Sequence, residues 1–145
     1  MAAGQSGGPG SSEIQAVDLP LDVAAVEKAR LAVIGLLAPW RVDERFLNRI
    51  EVVLEELVSN VVRHAESVRR LRIEASVANH MLNLAVIDDG DAFDPLAMPE
   101  RDRYSDLELA IPGGQGIPLV RRLSRAVNSE RRDGENRISC ILDIG

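Results

Sequence analysis

One cysteine in 145 residues rules out an intrachain disulfide, and the two histidines do not combine with it in a zinc-like spacing. That residue, Cys140, stands in the apolar run Ile138–Leu142 and reads as a buried strand residue. Aromatic residues make up only 3%, which leaves little with which to stack nucleic-acid bases on an exposed sheet. Lys and Arg number 17 against 23 Asp and Glu, a net charge of −6, so general binding to nucleic acid or to a membrane surface is not expected. The arginine clusters at 69–72, 121–125 and 131–132 are short and mixed with acids, as on a solvated face. No apolar run approaches the ~18 residues of a membrane span. Met1–Ser12 is rich in Gly and Ser and lacks the hydrophobic segment of a signal peptide, so it reads as a flexible tail of a cytoplasmic protein. Several enzyme signatures are missing too. There is no P-loop Gly-Lys-Ser/Thr, no Gly-x-Ser-x-Gly elbow, no His-Glu-x-x-His, and no protein-kinase Lys/His-Arg-Asp/Asp-Phe-Gly set.

What remains is 46% apolar and 28% charged, the make-up of an ordinary globular domain, with no internal repeat. Residues 13–145 are expected to form one domain. Ile14–Leu19 is a strand candidate ended by Pro20. Asp22 is placed to cap a helix from about Val23 to Leu37, with Val23, Val26, Leu31, Ile34 and Leu37 as its apolar positions. Asp43 caps a second helix ending near Ala65, in which Phe46, Leu47, Ile50, Val53, Leu54, Leu57, Val58 and Val61 follow a 3.6-residue period. Leu71–Val77 and Met81–Ile87 read as strands joined at Ala78–His80. After a long polar stretch from Asp88 to Pro112 comes a helix over Gln115–Ser124, with Pro118 tolerable in its first turn. A hairpin, Val127–Arg132 and Asn136–Ile144 around Asp133-Gly134, closes the chain. The order β-α-α-β-β-loop-α-β-β predicts an α+β fold, a two-layer sandwich whose mixed sheet carries helices on one face.

Three groups of residues carry chemistry. Glu56 and Asn60 lie one helical turn apart, so they share a helix face. Magnesium prefers few protein ligands completed by phosphate oxygens and water, which one amide oxygen from Asn60 would suit. Glu56 is placed to deprotonate a hydroxyl or a water. The plainer alternative is a solvated Glu56 and an Asn60 packed at the helix flank. Asp88, at the end of an apolar run, offers an acceptor for the exocyclic amine of adenine, and Gly90 would let backbone approach the ring; the alternative is an ordinary turn. Gly113, Gly114 and Gly116 precede a helix and expose N–H groups suited to phosphate, or else form a hinge. His64 could act as a base, but packing under the sheet is the simpler account.

The boxes Glu56 to Ala65, Asp88 to Pro95 and Gly113 to Val120 together resemble those of the GHKL ATPase superfamily, and within it the anti-sigma-factor serine kinases of the RsbW and SpoIIAB type. The resemblance spans about residues 14–144 and implies a Bergerat-type ATP-binding fold with a lid over about residues 90–112. It implies Glu56 as general base, Asn60 as magnesium ligand and Asp88 as adenine reader, with Gly90, Ala92, Gly113, Gly114 and Gly116 shaping the ATP pocket. It further implies a serine protein kinase acting on a STAS-domain anti-sigma antagonist and binding a sigma factor or equivalent regulator, with relatives pairing as homodimers through the sheet edge and first helix. The alternative is a nucleotide-gated module that sequesters its partner without phosphotransfer; a plain ATPase is a third, weaker reading. Histidine-kinase chains share the boxes but carry a phosphoacceptor helical hairpin, for which there is no room. Three positions depart from the family pattern: Ala92 replaces a second glycine, Pro118 an apolar residue, and Pro112 a basic residue whose part Arg101 or Arg103 would have to take.

Overall fold

The carboxylate of Asp43 starts the longest helix: its Oδ1 accepts the Arg45 N–H at 2.8 Å, satisfying one of the donors that a helix start leaves free. This helix, α2 (Glu44–Arg63), buries Ile50, Val53, Leu54, Leu57, Val58 and Val61 as one stripe, as the 3.6-residue period predicts. Each fully buried leucine or isoleucine of that stripe contributes roughly 1.5–3 kcal/mol. In the computed structural model, which describes residues 11–97 and 116–145, α2 packs between α1 (Ala24–Leu37) and α3 (Gly116–Leu123).

Helix α1 departs from the expected face. Asp22 does sit at its start, accepting the Ala24 N–H at 2.8 Å. The stripe that enters the core is Ala25, Ala29, Val33 and Leu37, while Val23 and Leu31 are exposed at 93% and 57%. The sequence of α1 is apolar on more than one side, and the inward face sets two alanines beside Val33 and the expected Leu37.

Five strands form one sheet in the order β1-β2-β3-β5-β4: β1 (Gln15–Leu19), β2 (Leu71–Ala78), β3 (Met81–Asp88), β4 (Ala126–Arg132) and β5 (Glu135–Asp143). The two-layer α+β arrangement is as expected, but the mixed sheet is not: among the described residues every pairing is antiparallel. Two successive helices between β1 and β2 return the chain in the reverse sense. Strands β3 and β4 run the same way, but β5 inserts between them, so no parallel pair forms among the described residues. Asn79 and His80, both at positive φ, turn β2 into β3, and Asp133 with Gly134 (φ 78°) turn β4 into β5.

One face of the sheet, with Leu71, Ile73, Val77, Leu82, Leu84, Val86, Ile138, Cys140 and Leu142, meets the helices in a single core. Cys140 is buried there, and burial pushes its thiol up to about 12. Pro118 falls in the first turn of α3, where the missing N–H is not needed, and Ile117 and Val120 bury that helix. Among the described residues no helix is long and apolar enough to cross a membrane.

Candidate functional site

Position 60 lies on the part of α2 that looks toward the end of β3. Asn60, Val61, His64, Ser67, Val68, Asp88, Gly90, Asp91, Phe93 and Asn136 line one cleft there, with Leu57, Val86 and Pro95 continuing it inward. Toward solvent it opens into a depression of ≈ 670 Å³ bordered by Arg63, His64, Glu66, Ser67, Asp91, Ala92 and Phe93. The fold thus brings Asn60, Asp88 and Gly90 together and puts Ala92 at the mouth. Gly116 is the first residue of α3. Gly113 and Gly114 lie outside the described residues, as do Arg101, Arg103, Pro112 and most of the expected lid.

Glu56 is half-buried one turn before Asn60 on the same helix. Burial raises its carboxyl above the ordinary carboxylate value, the charge of Glu55 adds to the rise, and Arg63 opposes it. A carboxylate so placed holds a proton more firmly than an exposed one, which suits a base. Arg63, seven residues on, was not singled out from the sequence, although the spacing Glu56, Asn60, Arg63 already puts it near that face.

Asp88 and Asp89, at the end of β3, divide their work. Asp88 Oδ1 accepts the Gly90 N–H at 2.9 Å and Asn136 Nδ2 at 3.0 Å. Asp89 Oδ1 accepts the backbone N–H of both Arg69 and Arg70 at 2.8 Å, and these bonds, that of Arg70 first, hold its carboxyl below the ordinary value. Gly90 is needed for space on the protein side. A Cβ there would stand 2.7 Å from Val68 Cγ2 and 3.0 Å from Ser67 Oγ, so the loop closes down on the 65–68 turn. This packing reason stands beside the expectation that the missing side chain lets backbone approach a ring, since Gly90 also lines the cleft.

His64 does not pack under the sheet. It follows the last residue of α2, is exposed, and sets its ring 5.4 Å from that of Phe93 at the mouth of the cleft. Asn136, on β5, is a cleft residue that the sequence did not reveal, because it reads as the first residue of a strand and nothing local shows that it stands opposite Asp88.

The cleft lining supplies two side-chain amides, Asn60 and Asn136, two carboxylates, Asp88 and Asp91, and no lysine, and the Asn136 amide is taken up by the bonds around Asp88. Among the described residues no cluster of three or more His, Cys, Asp or Glu could hold a metal. A hard cation here would therefore depend on Asn60 and on oxygens brought by its own ligand, the arrangement magnesium favours when bound with phosphates.

Residues 19–142 match the family described as Histidine kinase-like ATPase domain. A serine/threonine-protein kinase, BtrW of Bordetella bronchiseptica, is 28% identical over 109 residues, covering 73% of this chain and 75% of that protein. The crystal structure of the RsbU and RsbW domains of Rv1364c from Mycobacterium tuberculosis overlays with a TM-score of 0.64 at 15% identity, covering 92% of this chain. This chain spans about a third of that one (33%).

Proposed function

The chain belongs to the histidine kinase-like ATPase domain family, and on that premise we propose that it is a magnesium- and ATP-dependent serine protein kinase. The observation that carries this reading is the single cleft shared by Asn60 and Asp88, with half-buried Glu56 one turn before Asn60. A nucleotide site alone has no use for a carboxylate whose proton affinity is raised beside the metal-binding amide.

Bound MgATP would supply a γ-phosphoryl group for transfer to a serine hydroxyl. Asn60 would hold the metal through its side-chain oxygen. Asp88 would accept from the adenine amine and so choose the base. Glu56 would take the proton from the attacking serine Oγ, raising the nucleophilicity of that oxygen as its bond to the γ-phosphorus forms and the bond to the β,γ-bridging oxygen breaks, with ADP leaving. Gly113, Gly114 and Gly116 would offer backbone N–H groups to the phosphates, and residues of the 90–112 segment would close over them.

The substrate we propose is a serine on a STAS-domain anti-sigma antagonist, in a partner-switching pathway where the kinase also holds a sigma factor or an equivalent regulator in the cytoplasm. The three sequence boxes support this, and so does the likeness to a protein named as a serine/threonine kinase. A homodimer would use β1 and α1, where Ile14, Val23 and Leu31 are exposed. Titration of the protein with ATP, with and without magnesium, tests the nucleotide half. Wild type should bind ATP more tightly with magnesium and Asn60→Ala should lose that gain; the absence of ATP binding in wild type would overturn the reading.

A further inference from the structure

Asp88 and Asn136 are the two buried polar residues of the described chain. The strand register explains why they meet. Asp88 on β3 faces Asn136 on β5, which faces Arg131 on β4, so three polar side chains stand in a row across the sheet. The next row in, Val86 and Ile138, is already core.

The amide of Asn136 is fully used. Nδ2 donates to Asp88 Oδ1 at 3.0 Å and to the Asp91 carbonyl at 2.8 Å. Oδ1 accepts the Phe93 N–H at 3.0 Å and Arg131 Nη1 at 3.1 Å. Two donors and two lone pairs are all an amide has, and the reverse orientation would set donors against donors. Arg131 also donates to the Gly90 carbonyl at 2.7 Å, closing the network around the loop. Among the described residues, both donors to the Asp88 side chain go to Oδ1 and none to Oδ2.

We propose that Asn136 is a positioning residue for base selection: it fixes the rotation of the Asp88 carboxylate so that Oδ2 is the oxygen offered to an exocyclic amine. The terminal torsion of an aspartate is broad, and without a second donor the two oxygens exchange roles. Through Asp91 and Phe93 the same amide holds the loop that leaves the cleft, so the base-reading oxygen and the loop share one anchor. This inference rests on the proposed role of Asp88 as the adenine acceptor.

The test uses the full chain and compares ATP with ITP, which carries a carbonyl where adenine carries its amine. Asn136→Thr and Asn136→Val are nearly isosteric and both suit a strand, but only threonine keeps a donor for Asp88. Thermal unfolding of each variant accompanies the titrations. Wild type should prefer ATP, Asn136→Thr should keep most of that preference, and Asn136→Val should lose about tenfold of it, the worth of one hydrogen bond to a charged group. A merely structural role would weaken ATP and ITP alike and leave their ratio unchanged. A wild-type ratio in Asn136→Val overturns the inference and leaves the ATP site standing. Equal affinity of wild type for ATP and ITP removes the Asp88 role, and this inference with it. Should the valine variant fail to fold, the Asn136 side-chain amide signal of wild type serves by NMR. ATP should shift it and ITP should not, and equal shifts overturn the inference.

Discussion

Asp88 and Asp89 are adjacent in the chain, yet the first faces the cleft network through Asn136 while the second ties the start of β2 through the Arg69 and Arg70 amides. Substitutions should therefore separate binding from stability. Asp88→Asn keeps an acceptor for Asn136 but turns a donor toward the adenine amine, so ATP affinity should fall tenfold or more, by about one charged hydrogen bond, with little change in unfolding. Asp89→Ala should leave ATP affinity nearly unchanged and lower stability by about 1 kcal/mol, a figure reduced for a carboxylate open to solvent. Because the Asp89 carboxyl is held below its ordinary value of 3.8, its contribution is present above that pH and is lost as pH falls through the lower folded value. Urea titrations of wild type and Asp89→Ala should accordingly converge in acid; a constant difference at all pH values would contradict the assignment.

Glu56 runs the opposite way. Its folded carboxyl sits above the ordinary value of 4.5, so the folded state binds that proton more firmly than the unfolded state does. The stabilisation is complete below the unfolded value and is lost as pH rises through the folded one. Glu56→Gln should be more stable than wild type at neutral pH, with the gain disappearing in acid. Paired thermal melts across pH check this, and a glutamine variant less stable at neutral pH would show that the charge is compensated.

Gly90→Ala forces a methyl against Val68 and Ser67. Overpacking of this kind costs about 1–3 kcal/mol, and moving the loop should also weaken ATP binding. Chemical denaturation with nucleotide titration reads both effects. A variant as stable as wild type would mean that the 65–68 turn yields.

Cys140 should resist alkylation in the native protein, since its thiol is buried and pushed up to about 12, and should react once denaturant unfolds the chain. Labelling at neutral pH with and without guanidinium decides it. Rapid native labelling would show that the core opens around β5.

The periodic stripe of α2 was legible because its apolar residues recur on one side only and the other side is charged. Helix α1 was not: with Val23 and Leu31 as good a stripe as any, nothing local shows that Ala25 and Ala29 are the residues pressed against the sheet. The Asn60 and Asp88 pairing was readable from box order, since a helix and a strand end must meet wherever they sandwich one core. The Asn136 anchor was hidden because it arises from register between β3 and β5, 48 residues apart in sequence. The antiparallel sheet was likewise a matter of where β5 inserts, which element order does not state.

The central claim is tested most directly by incubating the protein with labelled ATP, magnesium and a STAS-domain antagonist, beside Glu56→Gln. The account predicts label on a serine of the antagonist with wild type, and transfer slowed about 10²–10⁴-fold in the variant while ATP binding persists. ATP bound by wild type with no label transferred would contradict it and leave a nucleotide-gated binding module; transfer at the wild-type rate by Glu56→Gln would remove Glu56 as the base.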